Sequence, residues 1–323
     1  PELIKKDEKI LRSLKKAEEF IDYTQILRNP PEYERFYRQL TDGAWPFTTV
    51  DQGYTISDCT AEGLKLCLMY RHSPHLISKV SDERLFRAVN VILSMHNPSS
   101  GGWGSYELMR TYPIIECLNP AALFGEIMVD YPHTECTSAC MQGLIEFQKT
   151  FPQHRKQEID HALKTGEAYI RSRQMEHGGW YSSWAVCFCY AAWFAITALA
   201  KRGGTYQTDE NIRKGCEFLI RHQLEDGGWG ESYESCIKKE YISTKRSQVI
   251  NTSWALMALM AAGYPNKVVM KAGINLILRR QQPNGDFPQE EISGVFNHNC
   301  MITYTSYRNV FPIWALNMYH RLN

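Results

Sequence analysis

The sequence lacks a long uninterrupted apolar run, a strong excess of either charge, and a regular spacing among its ten cysteines. A membrane-spanning helix needs about 20 consecutive apolar residues, so none is predicted. A net charge of +1 without basic clusters argues against nucleic acid as a partner. Several cysteines lie in apolar segments, which is typical of the reduced thiols of an intracellular protein.

Motifs for nucleotide binding and for hydrolysis by a serine nucleophile are also missing. There is no P-loop, no Gly-x-Gly-x-x-Gly after a strand and no Gly-x-Ser-x-Gly elbow. His133, Cys136 and Cys140 share one face of a helix, which suggests a metal site. No second pair of ligands follows at a spacing typical of zinc sites, however. We therefore expect neither a metal nor a cofactor.

An internal repeat is present instead, and repeats are sought before other signals because they define the architecture. Each copy has the end of a helix, then a glutamine, a glycine-rich turn and an aromatic residue. Glycines end helices readily because they adopt positive φ. One copy carries Phe in place of Trp, and another carries His in place of Gln with one extra residue. The four copies are Gln223 to Trp229, Gln174 to Trp180, Gln281 to Phe287 and His96 to Trp103.

The segments that follow these turns also resemble one another, because each has a threonine near an expected helix start. They are residues 59–64, 136–139, 251–256 and 304–307. Residues 187–200 and 251–263 are apolar on nearly every side, so these helices must be buried all round. Alternation of buried and amphipathic helices predicts an all-α protein, an α/α toroid with an inner and an outer ring. Repeats from about residue 88 to 287 favour one domain.

The string Asp58-Cys59-Thr60-Ala61-Glu62 is the sharpest local signal. Taken alone, an aspartate at a helix start is usually an N-cap. Together with the repeats, the string resembles the catalytic signature of the oxidosqualene cyclases, which form sterols and triterpenes. The repeats similarly resemble the Gln-Trp repeats of that family. The resemblance runs from about Pro30 to Trp314.

The resemblance implies an isomerase that cyclises 2,3-oxidosqualene, a small isoprenoid epoxide, to a tetracyclic protosterol. Lanosterol, parkeol and cycloartenol all remain possible products. Asp58 would be the general acid, and burial would raise its pKa and keep it protonated. Cys59 and Cys136 match the two cysteines that hydrogen-bond the acid in the family, and Glu62 matches the residue that links the acid to a reprotonation path.

The resemblance also implies which side chains line the substrate cavity. Aromatic faces would stabilise the successive carbocations by cation–π interaction, although ordinary core packing is the alternative for aromatics at helical spacing. Two further residues resemble the gate of the substrate channel. The cavity candidates are Phe47, Tyr106, Trp184, Phe296, Tyr304 and Tyr307, and the gate candidates are Phe124 and Ile127.

Compared with the family, residues 1–323 correspond to the C-terminal part of the catalytic α/α barrel. The family's N-terminal portion, its inserted second barrel and most of its membrane-docking surface have no counterpart here, so the toroid is expected to be incomplete at its N-terminal side. The resemblance implies a peripheral, monotopic enzyme of the endoplasmic reticulum or of lipid droplets. Membrane contact would then pass through the missing portion.

Two other classes of protein remain open from the sequence. One is a catalytically inactive cyclase fragment or helical toroid that acts as a binding or scaffold module, in which Asp58 and Cys136 would lie apart. The other is a different enzyme on a similar toroid, such as a protein prenyltransferase β-subunit. That class needs a zinc site made of Asp, Cys and His.

Overall fold

A computed structural model of the protein describes residues 7–36, 39–76, 78–297 and 299–322. Two short strands, residues 294–296 and 300–302, pair antiparallel, with Gly294 opposite Ile302. Across these ranges, no helix combines the length and apolar character needed to cross a bilayer. The elements are α1 (Glu8–Thr24), α2 (Tyr33–Phe36), α3 (Ser57–Arg71), α4 (Asp82–Ser94), the 3₁₀ helix η1 (Pro113–Leu118), α5 (Thr134–Thr150), α6 (Lys156–Ser172), α7 (Phe188–Lys201), α8 (Glu210–Arg221), α9 (Glu234–Lys238), α10 (Val249–Ala261), α11 (Lys267–Arg280), β1 (Gly294–Phe296), β2 (Cys300–Ile302) and α12 (Tyr307–Leu322).

The chain divides into two compact units, and the single domain expected from the sequence repeats stays a prediction. The first unit consists of Pro1–Arg110 with Asp130–Ala168, and the second consists of Thr111–Val129 with Tyr169–Asn323. Each unit alternates helices that are buried all round with helices that bury one face. The all-α class predicted from the sequence is confirmed.

One of the two segments predicted to be apolar on every side, residues 251–263, forms most of a fully buried helix, and a second buried helix, which was not predicted, lies in the first unit. In the second unit, α10 buries every residue from Val249 to Met260. In the first unit, α3 and α5 pack against each other, and α5 buries every residue from Thr134 to Leu144. A Cβ added at Gly143 would lie only 3.1 Å from the Cβ of Ala61, so the lack of a side chain at Gly143 permits this close packing.

The repeats share one hydrogen-bonding pattern. The indole Nε1 of Trp180 donates to the carbonyl of Ile170 at 2.8 Å, so the tryptophan is held by the helix that precedes its turn. The amide of Gln174 donates to the carbonyls of Gly178 (2.9 Å) and Asn211 (2.8 Å), so it closes the turn and ties it to the next amphipathic helix. His96 bonds the Gly101 carbonyl at 3.1 Å, so histidine takes over the bond to the turn in its copy.

The structure contains a fifth copy of this pattern that the sequence analysis missed. The amide of Gln25 donates to the carbonyls of Gly43 (2.9 Å) and Arg84 (3.2 Å), and Trp45 Nε1 donates to the carbonyl of Ile21 at 2.9 Å. Gly43 has φ of +103°, close to the +92° of its counterpart Gly227. An insertion between the glutamine and the glycine hid this copy, because the search relied on a fixed spacing.

A threonine in the first turn of three buried helices fixes the backbone of a repeat tryptophan. Thr252 Oγ1 accepts from Trp229 N at 3.0 Å. Thr137 Oγ1 likewise accepts from Trp103 N at 3.0 Å, and Thr60 Oγ1 accepts from Trp45 N at 3.2 Å. The expected equivalence of the helix starts at Thr60, Thr137 and Thr252 is therefore a shared physical link rather than a coincidence of composition.

We predict that Gln25→Ala lowers the free energy of unfolding by about 2 to 3 kcal/mol, because it leaves buried backbone carbonyls without donors. Gln25 is only 2% exposed and also accepts from Arg84 Nε at 2.7 Å. The matched control is Gln281→Ala, which removes the corresponding bond to Gly285 (3.1 Å) at an exposed turn. We expect a cost below about 1 kcal/mol there. Urea unfolding followed by circular dichroism measures both, and equal costs would contradict the buried role of Gln25.

Candidate active site

Asp58 is the second residue of α3 and lies inside its first turn. The N-cap is Ile56, whose backbone is extended and whose side chain makes no capping bond. The first amide of α3 is instead satisfied from elsewhere in the first unit, because Ser57 N donates to the carbonyl of Ser105 at 2.9 Å. Asp58 is therefore not the N-cap that an isolated aspartate at this position would suggest.

The Asp58 carboxyl is partly buried, and burial raises its pKa to about 6. The negative charges of Glu62 and Glu135 contribute to this rise, whereas the bond from Cys59 N, at 2.8 Å, opposes it. An ordinary aspartate has a pKa of about 3.9. Asp58 thus retains its proton into the mildly acidic range, as a general acid requires.

Three cysteine thiols, those of Cys59, Cys136 and Cys140, lie within electrostatic reach of this carboxyl. The Cys59 thiol is hydrogen-bonded to Asp58, and burial followed by the Asp58 charge raises the pKa of that thiol. Cys136 is fully buried, and its Sγ lies 3.4 Å from Ser105 Oγ in a hydrogen bond. Cys140, which is also buried, is hydrogen-bonded to Ser57. Burial raises the pKa of both Cys136 and Cys140, so neutral thiols are favoured around the acid.

Glu62 lies one helical turn after Asp58 and is half exposed to solvent. Its side chain is 50% exposed and pairs with Lys65, with Nζ and Oε1 2.6 Å apart. Residues four apart share one face of a helix, so the two carboxyls of Asp58 and Glu62 are neighbours. This position suits a residue that returns a proton to the acid.

A loop of four residues, Gly104 to Glu107, lies against the start of α3. Ser57 Oγ donates to the carbonyl of Gly104 at 2.6 Å. The ring of Tyr106 in this loop meets Tyr54 edge to face, with centroids 5.7 Å apart. Burial raises the pKa of Tyr106, and the charges of Asp130 and Asp58 raise it further. Tyr106 is therefore within electrostatic reach of Asp58, and its role in the cavity wall stays a prediction.

Most of the other aromatic candidates lie in the second unit, where they form two groups. Phe296 meets both Trp184 (5.3 Å between centroids) and Phe124 (5.5 Å) in edge-to-face contacts. Tyr304 and Tyr307 have centroids 4.8 Å apart, and Tyr307 packs on Trp254 at 5.9 Å. The structure thus brings one gate candidate, Phe124, together with two cavity candidates.

Two candidates are more exposed than the rest. Phe47, in the first unit, is 54% exposed, and Ile127, in the second, is 40% exposed. Exposed aromatic and aliphatic side chains are available for contact with an apolar ligand, but exposure alone does not assign a function. Their roles as cavity wall and gate stay predictions.

The metal hypothesis for His133, Cys136 and Cys140 gains no support. Within the part of the chain that the structure describes, no three or more His, Cys, Asp or Glu side chains are grouped so that they would hold a metal ion. Two of the three candidates are instead engaged by hydroxyl groups, Cys136 by Ser105 and Cys140 by Ser57.

Several residues around Asp58 were missed by the sequence analysis. Glu135 is the second residue of α5 as Asp58 is of α3, so the likeness of the helix starts already contained this signal. Asp130 and Ser105 carried no local signal. Asp130 acts on residues 105–107, which are 23 to 25 positions away in the chain, and only the folded structure brings them together.

The fold is similar to that of solved helical terpene cyclases. One similar solved structure is the type II terpene cyclase MstE from Scytonema in complex with its product merosterolic acid A. The TM-score is 0.64 over 98% of this chain and 83% of that one, at 15% sequence identity. At this identity the likeness shows the fold alone, and it is the α/α-toroid class predicted from the sequence.

The chain belongs to the family of the squalene-hopene cyclase C-terminal domain, whose model matches residues 4–321. It is 46% identical to human lanosterol synthase over 96% of this chain and 43% of that protein. It is 44% identical to cycloartenol synthase from Dictyostelium discoideum over 96% of this chain and 44% of that protein. The chain therefore spans less than half the length of these curated relatives.

We predict that the raised pKa of Asp58 makes the folded chain lose stability as pH rises. The folded state holds this proton to about pH 6, whereas the unfolded chain releases it near pH 4. The free energy of unfolding should therefore fall by about 2 to 3 kcal/mol across this interval, relative to Asp58→Asn. Urea unfolding of both proteins at steps from pH 4 to 8 measures the difference.

Asp209→Asn is the matched control, and its pH dependence should have the opposite sign. Burial opposes ionisation of Asp209, but its hydrogen bond with Arg171 holds the pKa of this carboxyl below the ordinary value. The stability contributed by Asp209 is thus present at neutral pH and lost as pH falls. A pH-independent difference for Asp58→Asn would contradict the raised pKa.

Proposed function

We propose that this chain carries the acid site of an oxidosqualene cyclase, in which Asp58 starts the cyclisation of 2,3-oxidosqualene. One observation supports this above all, a partly buried aspartic acid whose pKa is raised to about 6, at the start of a buried helix. The relatives named lanosterol synthase and cycloartenol synthase support the reaction class. Because the chain spans 43% of the human relative, the proposal concerns the activity of a whole enzyme.

The proposed first step is proton transfer from the Asp58 carboxyl to the epoxide oxygen. The carbon–oxygen bond then breaks, the oxygen becomes the 3-hydroxyl, and the carbocation is captured by the nearest double bond. An acid with a pKa near 6 is still protonated in useful amount and remains strong enough to donate. The hydrogen bond with Cys59 supports the carboxylate that is left behind.

The proposed role of the aromatic side chains is to stabilise the migrating positive charge without reacting with it. A cation over an aromatic face gains about 0.5 to 2 kcal/mol when water is excluded. Four of the candidates form contacting pairs in the second unit, Trp184 with Phe296 and Tyr304 with Tyr307, which supports this role for them. The candidates are Phe47, Tyr106, Trp184, Phe296, Tyr304 and Tyr307, with Phe124 and Ile127 proposed as the gate of the substrate channel.

The reaction ends when the final cation loses a proton, so the product is an isomer of the substrate. Asp58 must then regain its proton, and Glu62 is proposed to supply it from solvent. Its 50% exposure and its position one turn after the acid support this role. The product is proposed to be a protosterol-type tetracycle, with lanosterol, parkeol and cycloartenol as the candidates.

We further propose that residues 1–323 form the C-terminal part of the catalytic barrel of such an enzyme, which works as a peripheral protein of an endoplasmic reticulum or lipid droplet membrane. The portion outside this chain is proposed to supply most of the membrane contact. In the second unit, Tyr112, Ile114 and Leu118 are 69% to 79% exposed and would add apolar surface to it.

The direct test joins this chain to the N-terminal portion of human lanosterol synthase and supplies 2,3-oxidosqualene in detergent. We expect a tetracyclic product by mass spectrometry, and at least about a 100-fold loss of turnover in Asp58→Asn, because that variant cannot donate the proton. Asp209→Asn, which removes a carboxyl that caps a helix, is expected to stay active. Equal turnover in the folded Asp58→Asn hybrid would overturn the proposal, and the chain assayed alone tests whether it is sufficient.

The same hybrid should lose activity as pH rises. The acid is protonated below about pH 6, so kcat/KM should be level there and fall about tenfold per pH unit above it. Rates measured from pH 5 to 8.5 test this. An increase through that range would instead indicate that the ionised carboxylate is the active form.

Glu62→Gln should separate the first turnover from later ones. It removes a charge that raises the pKa of Asp58 and also interrupts the return of the proton. At pH 5.5 we expect a normal first turnover, but steady-state turnover about tenfold lower. Glu146→Gln is the control, because Glu146 forms a similar pair with Lys149 at 2.8 Å. A steady-state rate equal to that of this control would assign Glu62 no part in reprotonation.

A further inference from the structure

The carboxylate of Asp130 holds three consecutive backbone amides. Its Oδ1 accepts from Ser105 N at 3.2 Å, and its Oδ2 accepts from Tyr106 N at 2.5 Å and from Glu107 N at 2.7 Å. Charge-assisted bonds of this kind are about twice as strong as neutral ones. Asp130 therefore fixes the conformation of the loop that carries Tyr106.

The approach of this carboxylate depends on Gly104. A Cβ added at Gly104 would lie 2.8 Å from Asp130 Oδ2 and 3.1 Å from the carbonyl oxygen of Glu107, so a side chain there would displace the carboxylate or the loop. Asp130 thus supplies the carboxylate, and the absence of a side chain at Gly104 leaves room for it.

The same loop is bound on its other side to the start of α3. Ser57 donates twice to it, through its amide to the Ser105 carbonyl (2.9 Å) and through its hydroxyl to the Gly104 carbonyl (2.6 Å). Ser105 Oγ also binds the Cys136 thiol at 3.4 Å. One short loop therefore joins Asp130 to the residue before Asp58 and to a thiol of the acid site.

We propose that Asp130 is a positioning residue for the general acid: by holding residues 104–107 against the start of α3, it keeps the Ser57 amide bound to the Ser105 carbonyl and so unavailable to the Asp58 carboxyl. This inference rests on the proposed function of Asp58 as that acid. The Ser105 carbonyl occupies the Ser57 N–H, and an amide at a helix start otherwise stabilises a nearby carboxylate. The loop thus favours the protonated form of Asp58.

The test measures the protonation of Asp58 directly in this chain, without substrate. The infrared carbonyl band of the carboxylic acid is followed against pH, and the spectrum of Asp58→Asn identifies the contribution of Asp58. Asp130→Asn keeps the shape of the side chain but removes the charge that binds three amides. We expect the pKa of Asp58 to fall by about one unit or more, towards its ordinary value of about 3.9.

Asp209→Asn is the matched control. Asp209 also accepts two backbone amides, from Asn211 at 2.9 Å and Ile212 at 3.1 Å, but it lies in the second unit. A purely structural role for Asp130 predicts a lower unfolding temperature in both variants and an unchanged Asp58 pKa. That result, in folded Asp130→Asn, would overturn the proposal.

Ser57→Ala keeps the proposal testable if Asp130→Asn does not fold. It removes the hydroxyl bond at the other end of the same link and should lower the Asp58 pKa in the same direction by a smaller amount. An unmoved Asp58 pKa in Ser57→Ala would also count against the proposal. Because these readouts need no turnover, failure of the oxidosqualene assay and failure of the positioning role are distinguishable.

Discussion

The bond between a threonine hydroxyl in a buried helix and the backbone of a repeat tryptophan sets where that helix begins. The indole of the tryptophan also donates to a carbonyl of the preceding amphipathic helix, as Trp229 does to Leu219. Hydrogen bonds therefore connect the amphipathic helix, the turn and the buried helix. In α3 this threonine is Thr60, two residues after Asp58. The architecture that stabilises the fold therefore also fixes the position of the proposed acid.

Burial of Asp58 has opposite consequences for stability and for chemistry. A buried carboxylate is costly, so the protein retains the proton on Asp58 to a higher pH than an exposed aspartate would. The same effect keeps a proton on Asp58 for the donation that we propose. The negative charges of Glu62 and Glu135 also raise the pKa of Asp58. The Gly104 to Glu107 loop, which is bound by Asp130, packs against the start of α3. The pKa of Asp58 is thus shifted from its ordinary value by burial and by the neighbouring charges.

This chain matches only part of the length of its curated relatives. It matches its family model over residues 4–321, yet spans less than half of the human and Dictyostelium proteins. The residues proposed as the acid, as its thiol partners and as the reprotonation path lie in the first unit, whereas Trp184, Phe296, Tyr304 and Tyr307 lie in the second. Both groups of residues required by the proposed reaction, an acid and an aromatic surface, are therefore encoded within this one chain.

The helical class, the family, four repeats and the candidate acid Asp58 could be predicted from the sequence, because each depends on local periodicity or on a contiguous string. The fifth repeat was missed because a loop separates Gln25 from Gly43 in the sequence, and only the folded chain brings them into hydrogen-bonding contact. Asp130 and Ser105 escaped for the same reason, and Glu135 was recognisable only by comparing helix starts. The resemblance led us to expect a raised pKa for Asp58, but its extent depends on the tertiary structure, because burial and the charge of Glu135 come from chain segments that are distant in sequence.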